Sequence, residues 1–273
     1  MSEYAVFGNP VAHSRSPQIH RAFAAQRQQT VSYERIEAPL DNFVTRVRQF
    51  FANEGKGANV TVPFKEEAFR LCQTHSDRAQ QAGAVNTLAL RHGSLYGDNT
   101  DGAGLVRDLR VNLGWQLEGR RVLILGAGGA VRGVLGPLIE AGPADITLAN
   151  RTEARAAELA EQFRDLGVPV YATGLDQPGK HYDLIINAIS AGLTGDMPPL
   201  PDSILSDSSV CYDMVYGDQL TPFLRWAEMH GATAISDGLG MLVEQAAESF
   251  YLWHNWRPKT APVIDALRRG TLD

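Results

Sequence analysis

The most constraining stretch of the chain is Arg121-Val122-Leu123-Ile124-Leu125-Gly126-Ala127-Gly128-Gly129-Ala130, an apolar run that breaks into glycines and continues as a helical pattern through Val134, Leu135, Leu138 and Ile139. Consecutive apolar side chains without alternation suit a strand covered on both faces. A glycine-rich turn joining such a strand to a helix brings backbone N–H groups close to an anion at the positive end of the helix dipole. The stretch therefore asks for a parallel sheet with crossover helices. Residues 145–149, 168–172, 183–188, 210–215 and 232–236 also read as strands, most of them followed by a helical segment.

The first hundred residues show a looser version of this alternation. Strands are expected at residues 4–8, 31–36 and 58–62. Helices are expected at residues 19–26, with Ile19, Ala22 and Phe23 on one face, at residues 41–51, with Phe43, Val47, Phe50 and Phe51 inward, and at residues 64–72. Two β runs, residues 85–90 and 94–97, flank Arg91-His92-Gly93, which is turn chemistry for a hairpin at an antiparallel edge. A domain break falls in residues 101–120, with a connector helix marked by Leu105, Val106, Leu109 and Leu113. Residues 239–253 are helical in period (Leu242, Val243, Ala246, Phe250, Trp253), and with no strand to follow they are expected to pack back on the first domain.

Composition narrows the function classes. With 25 basic against 31 acidic residues, a net charge of -6 and no run of five like charges, no basic face is expected and a nucleic-acid partner is disfavoured. Cys72 and Cys211 lack any Cys-x-x-Cys or Cys/His spacing, so neither a metal site nor a disulfide framework is expected. The N-terminus carries Glu3 where a signal peptide wants positive charge, and no stretch approaches about 18 apolar residues. The expectation is a cytoplasmic protein with no membrane anchor.

The glycine turn suits a dinucleotide pyrophosphate, although Val131 stands where the common G-x-G-x-x-G pattern has its last glycine. The end of the next strand is more telling. An acid there would accept hydrogen bonds from the ribose 2′-hydroxyl of NAD, whereas an arginine accommodates the 2′-phosphate of NADP. Here Asn150-Arg151-Thr152 and Arg155 follow, with Arg151 25 residues beyond Gly126. NADP is therefore expected, with Arg151 clamping the phosphate. Thr152 also suits a plain helix N-cap.

In the first domain, Ser14 and Ser16 flank Arg15 just ahead of a helix opened by Pro17, and could hold a small carboxylate or simply cap that helix. Strand alternation puts Asn59 and Thr61 on one face and Val60 and Val62 on the other, leaving two polar groups that a polyol could satisfy. Lys65 opens the next helix, where its charge opposes the dipole. Asp101 either caps the connector helix or meets Lys65 and holds its ammonium in place. The histidines form no triad with a serine, and the G-x-S-x-G elbow of a hydrolase is absent.

Taken in order, the segments 9–17, 59–65, Ala84-Val85-Asn86-Thr87, 97–102, 126–130, 150–152 and Asp237-Gly238-Leu239-Gly240-Met241-Leu242 resemble the shikimate dehydrogenase family over nearly the whole chain. The resemblance implies an α/β architecture of an N-terminal substrate domain (residues 1–101), a C-terminal Rossmann-like NADP domain (residues 102–238) with a cleft between them, and a helical segment (residues 239–273) returning to the first domain. It implies reversible reduction of 3-dehydroshikimate to shikimate by NADPH. Carried over by position, Ser14, Ser16, Asn59, Thr61, Lys65, Asn86, Asp101, Tyr216 and Gln245 would bind substrate, with Lys65 and Asp101 catalytic. Gly126, Ala127, Gly128, Gly129, Ala130, Asn150, Arg151, Thr152, Arg155, Met214 and Gly238 would line the NADP site, with Asp77 as a further cofactor-contacting acid. No metal is expected, and the chain would be a monomer or homodimer. A quinate/shikimate dehydrogenase that tolerates NAD is the nearest alternative. A methyltransferase would want an acid where Arg151 stands, and a non-catalytic NADP-binding module would need neither Lys65 nor Asp101.

Overall fold

The computed structural model describes residues 3–189 and 199–272; Met1 and Ser2, which open the N-terminal segment considered above, lie outside them. The chain forms two compact units, one built from Met1–Gly104 and Leu242–Asp273, the other from Leu105–Met241.

The first unit runs β1 (Tyr4–Gly8), α1 (Ser16–Ala25), β2 (Tyr33–Glu37), α2 (Phe43–Ala52), β3 (Gly57–Val60), α3 (Lys65–Leu71), β4 (Thr74–His75), α4 (Asp77–Ala82), β5 (Thr87–Arg91), β6 (Ser94–Asp98) and α5 (Asp101–Arg107). Its six-stranded sheet has the order β2-β1-β3-β5-β6-β4. β1 shows why both faces are covered. Ala5 and Phe7 enter one core with Phe43, Val47 and Phe64, while Tyr4 and Val6 enter another with Val11 and Tyr33. Phe64 stacks on Phe43 at 4.5 Å between ring centroids, which ties the start of α3 to α2.

Two expectations for this unit need correction. The β5–β6 hairpin forms, with His92 and Gly93 both at positive φ as a two-residue turn requires, but it is not the sheet edge. The two-residue β4 pairs in parallel with β6 outside it, and so short a strand has no periodicity to read. The strand expected over residues 58–62 ends at Val60, so Val62 does not share the buried face of Val60: it is 68% exposed where Val60 is 2%. The chain turns there, with Phe64 N–H donating to the Thr61 carbonyl. The short helix α4 has no counterpart among the expected elements.

The second unit continues after α5 through a wide turn at residues 108–112 into β7 (Arg121–Leu125), α6 (Gly129–Glu140), β8 (Asp145–Asn150), α7 (Glu153–Phe163), β9 (Val170–Gly174), β10 (Tyr182–Asn187), β11 (Leu205–Asp213), α8 (Pro222–Met229) and β12 (Ala234–Asp237). All of its strand pairs are parallel, in the order β12-β11-β10-β7-β8-β9. Read from the other edge this is the doubly wound dinucleotide-binding order, with its switch point between β7 and β10. Along β7, Val122 and Ile124 enter one core and Leu123 and Leu125 the other, as the unbroken apolar run required. The helix α9 (Leu239–His254) begins in this unit and ends in the first, and α10 (Ala261–Arg268) completes the first. Among the described residues no helix is long and apolar enough to cross a membrane.

Candidate functional site

At the start of α3, Lys65 Nζ donates to Asp101 Oδ2 at 2.6 Å, with both side chains largely sheltered. Asp101 is the first residue of α5, where its charge complements the helix dipole. Its second oxygen is taken as well: Asn86 Nδ2 donates to Asp101 Oδ1 at 2.8 Å. The Asn86 amide is fixed the right way round because its Oδ1 accepts the Thr100 backbone N–H at 2.9 Å. Gln245 of α9 closes the cluster, its Oε1 accepting from Asn86 Nδ2 at 3.3 Å and from Thr100 Oγ1 at 3.4 Å. Glu66 and Glu67 in the first turn of α3 offset the unfavourable placement of Lys65 against its dipole. The result is one cation and one carboxylate in an otherwise neutral polar cluster, a setting in which a proton can be held and passed.

The other polar residues singled out from the sequence are placed as follows. Ser14 Oγ lies 3.2 Å from Ser16 Oγ and accepts the Ser16 backbone N–H at the start of α1, while Arg35 Nε donates to the Ser14 carbonyl at 2.7 Å. Thr61 is half-buried just past β3. Asn59 is buried with its amide engaged by the protein: Oδ1 accepts from Tyr33 Oη at 2.7 Å and Nδ2 donates to Ser249 Oγ at 2.9 Å. The unsatisfied polar group expected there, awaiting a polyol, is not found. Asp77 is exposed in the first turn of α4, in the unit that does not carry the glycine turn.

Arg78, also on α4, makes a bidentate pair with Asp98 at 2.7 Å and 2.7 Å. Burial pushes the Asp98 carboxyl up, but the Arg78 guanidinium, Ser76 and the Asn99 N–H outweigh it and hold it below the ordinary value. That clamp fixes the end of β6 three residues before Asp101. Neither Arg78 nor Asp98 was singled out from the sequence, since an exposed-looking arginine and a strand-end acid carry no pairing signal.

In the second unit the glycine turn lies beside the end of β8: Gly126 N–H donates to the Ala149 carbonyl at 2.7 Å. Gly126 has φ +116, a conformation other residues rarely adopt. Gly128 and Gly129 are different, because among the described residues a Cβ added at either meets nothing within 4 Å. Packing against the described residues does not require those glycines, and their bare backbone leaves room for a ligand to approach closely. The α6 N-terminus has neither a side-chain cap nor an acid in its first turn, so its N–H groups remain available for an anion. At the tip of β8, Asn150 Nδ2 donates to the Thr152 carbonyl at 2.8 Å, and Arg151 and Thr152 are exposed. Thr152 occupies the N-cap of α7 without a side-chain capping bond. Arg151 and Arg155 supply positive charge and Glu153 is the one acid among them. These residues fit a dinucleotide with a phosphorylated ribose.

At the carboxyl end of β11, the fully buried Asp213 accepts from Asn187 Nδ2 at 3.1 Å, Val215 N–H at 3.0 Å and Thr221 Oγ1 at 2.5 Å. Among the described residues no cation joins it, and burial raises its carboxyl. Asp213 thus anchors the segment carrying Met214 and Tyr216, both half-buried. Gly238 packs against this segment so closely that a Cβ would run into the Met214 carbonyl, and its N–H donates to the Val215 carbonyl at 3.2 Å.

Fold and site together define a two-unit α/β protein with a Rossmann-type nucleotide unit and a lysine–aspartate pair in its other unit. The chain matches the family models for the shikimate dehydrogenase substrate-binding domain (residues 6–88), shikimate/quinate 5-dehydrogenase (residues 109–194) and the shikimate 5′-dehydrogenase C-terminal domain (residues 238–268). It is 60% identical to the shikimate dehydrogenase (NADP(+)) of Alcanivorax borkumensis over 97% of this chain and 96% of that protein. Among solved structures, an Ael1 enzyme from Pseudomonas putida superposes with a TM-score of 0.92 at 45% identity, covering 98% of both chains. Shikimate 5-dehydrogenase of Thermus thermophilus in complex with NADP(H) and shikimate gives 0.86 at 37% identity, over 98% of this chain and 99% of that one. The chain belongs to the shikimate dehydrogenase family.

Proposed function

We propose that the chain catalyses the reversible NADPH-dependent reduction of 3-dehydroshikimate to shikimate, a step towards chorismate and the aromatic amino acids. The observation that carries this reading is the 2.6 Å contact between Lys65 Nζ and Asp101 Oδ2 inside a neutral polar cluster. When a carbonyl accepts hydride, the developing alkoxide needs a proton and a nearby positive charge. A Lys65 ammonium supplies both, and Asp101 holds it oriented. In the reverse direction the same amine takes up the hydroxyl proton as hydride leaves.

Asn86 and Gln245 hold substrate hydroxyls beside this pair, with Thr61 and Tyr216 as further polar contacts. Ser14 and Ser16 at the start of α1 take the carboxylate, where N–H groups and hydroxyls replace a buried cation. Asn59 serves this site through its protein partners. NADP is held by residues 126–130 at the pyrophosphate, by Asn150, Arg151, Thr152 and Arg155 at the ribose phosphate, and by Met214 and Gly238; Asp77 is assigned to the cofactor on family likeness alone. Bound nicotinamide supplies the hydride. Residues 1–101 then form the substrate domain, residues 102–238 the NADP domain, and residues 239–273 complete the first through Gln245. The Thermus relative's complex with both ligands supports this assignment. Two buried free thiols fit a reducing, cytoplasmic setting.

The test is formation of reduced nicotinamide with shikimate or quinate, each offered with NADP+ or NAD+. Turnover concentrated in the shikimate and NADP+ pair is expected. A folded protein that binds NADP+ but turns over neither acid would overturn the reading.

A further inference from the structure

Behind the lysine–aspartate pair lies a connected cluster of buried hydrogen-bonding side chains that leads back to Tyr33. Tyr33 Oη donates to Asn59 Oδ1 at 2.7 Å, which turns the Asn59 amide so that Nδ2 donates to the Asn86 carbonyl at 3.2 Å and to Ser249 Oγ at 2.9 Å. Ser249 and Thr87 share a hydrogen bond at 2.7 Å. The Thr87 hydroxyl also reaches Asn86 Oδ1 at 2.9 Å and Ser249 Oγ reaches the Gln245 carbonyl at 3.2 Å; when Thr87 donates to Asn86, Ser249 supplies the proton of the shared bond. Asn86 Nδ2 then donates to Asp101 Oδ1, and Asp101 Oδ2 receives Lys65. Thr87 and Ser249 are wholly buried, and Tyr33, Asn59 and Asn86 nearly so. In such surroundings a hydroxyl deprived of its partner has no water to replace it, and aligned donors strengthen one another.

We infer that Thr87 and Ser249 are positioning residues for the reaction: their ordered hydroxyls lock the Asn86 amide and, through it, the orientation of Asp101 towards Lys65. The inference rests on the functional reading given above. It assigns a role to the α9 residue Ser249, which touches neither Lys65 nor Asp101 and which a small residue on a helix face does not advertise in sequence. It also explains why Asn59 is engaged inside the protein: its amide, oriented by Tyr33, donates to both Ser249 and Thr87 and ties the cluster from one end.

The experiment measures kcat as a function of pH, and KM for shikimate and for NADP+, in the wild type, Thr87→Val, Thr87→Ser, Ser249→Ala, the Thr87→Val/Ser249→Ala double variant and Lys65→Ala, with thermal unfolding of each. Thr87→Val keeps the shape and removes the hydroxyl. It should lower kcat about tenfold and displace the pH profile with KM for NADP+ unchanged, and Thr87→Ser should restore both. Ser249→Ala should act similarly, and the double variant should be little worse than either single one, because members of one chain are not additive. Folded Thr87→Val and Ser249→Ala proteins with wild-type kcat and pH profile, beside an inactive Lys65→Ala, would overturn the relay alone. A wild type inert towards shikimate would overturn the functional reading and the relay with it.

Discussion

At the scale of single residues, the site joins a lysine and an aspartate 36 positions apart among side chains from several elements. Lys65 stands out because its charge opposes a helix dipole, a purely local conflict, and the structure resolves it with a partner 36 residues away. Arg151 stands out by its distance from the glycine turn, again a local count. Thr87, Thr100 and Ser249 are small hydroxyl residues whose meaning depends on neighbours up to 190 positions distant, and no spacing rule reaches that far. Arg151 carries a direct prediction. A guanidinium clamping a ribose phosphate contributes about 1.5–3 kcal/mol. Arg151→Ala should therefore raise KM for NADP+ by about tenfold to a hundredfold and leave KM for NAD+ nearly unchanged. Steady-state kinetics with both cofactors decide it; equal losses for the two would make Arg151 a structural residue.

Elements show a similar division. β7 and the turn into α6 are legible because an unbroken apolar run and a glycine cluster are local signals. β4 and α4 are not, being too short or too polar for periodicity to mark them. The packing of α5 on α9 is equally hidden, and it rests on Gly104. A Cβ added there would lie 2.7 Å from the backbone nitrogen of Gln245, a contact that helix backbone cannot evade by a rotamer change. Gly104→Ala should destabilise the protein by about 1–3 kcal/mol, the usual range for overpacking. Because the displaced residue is Gln245, it should also raise KM for shikimate. Denaturant unfolding and initial-rate kinetics on the same preparation would show this; an alanine variant with unchanged midpoint and KM would refute the close approach.

For the whole molecule, both units cover their sheets on two faces, and in the first this buries a histidine in an aromatic cage. His20 stacks on Tyr33 at 4.6 Å with Trp253 and Phe250 beside it, and burial, reinforced by His254, pushes it down to about 3. In the unfolded chain the same ring takes its proton near ~6.5. Between these values protons bind preferentially to the unfolded chain, so stability falls as pH drops through that window, by about 1.4 kcal/mol per pH unit, and is unaffected by His20 above it. Asp98, held low, withdraws its own contribution only at more acidic pH. Urea midpoints from about pH 7 to about pH 4 should therefore fall in the wild type and fall less steeply in His20→Phe; parallel slopes would show that His20 is not the responsible group.

Everything proposed for the reaction depends on Lys65 moving the proton that accompanies hydride transfer, and the Lys65→Ala variant isolates that step. Its kcat should drop by about a hundredfold or more, the scale of general acid–base catalysis, with only a modest change in KM for shikimate. A variant with kcat intact and KM greatly raised would contradict the assignment, leaving Lys65 as a binding residue and the chemistry to another group.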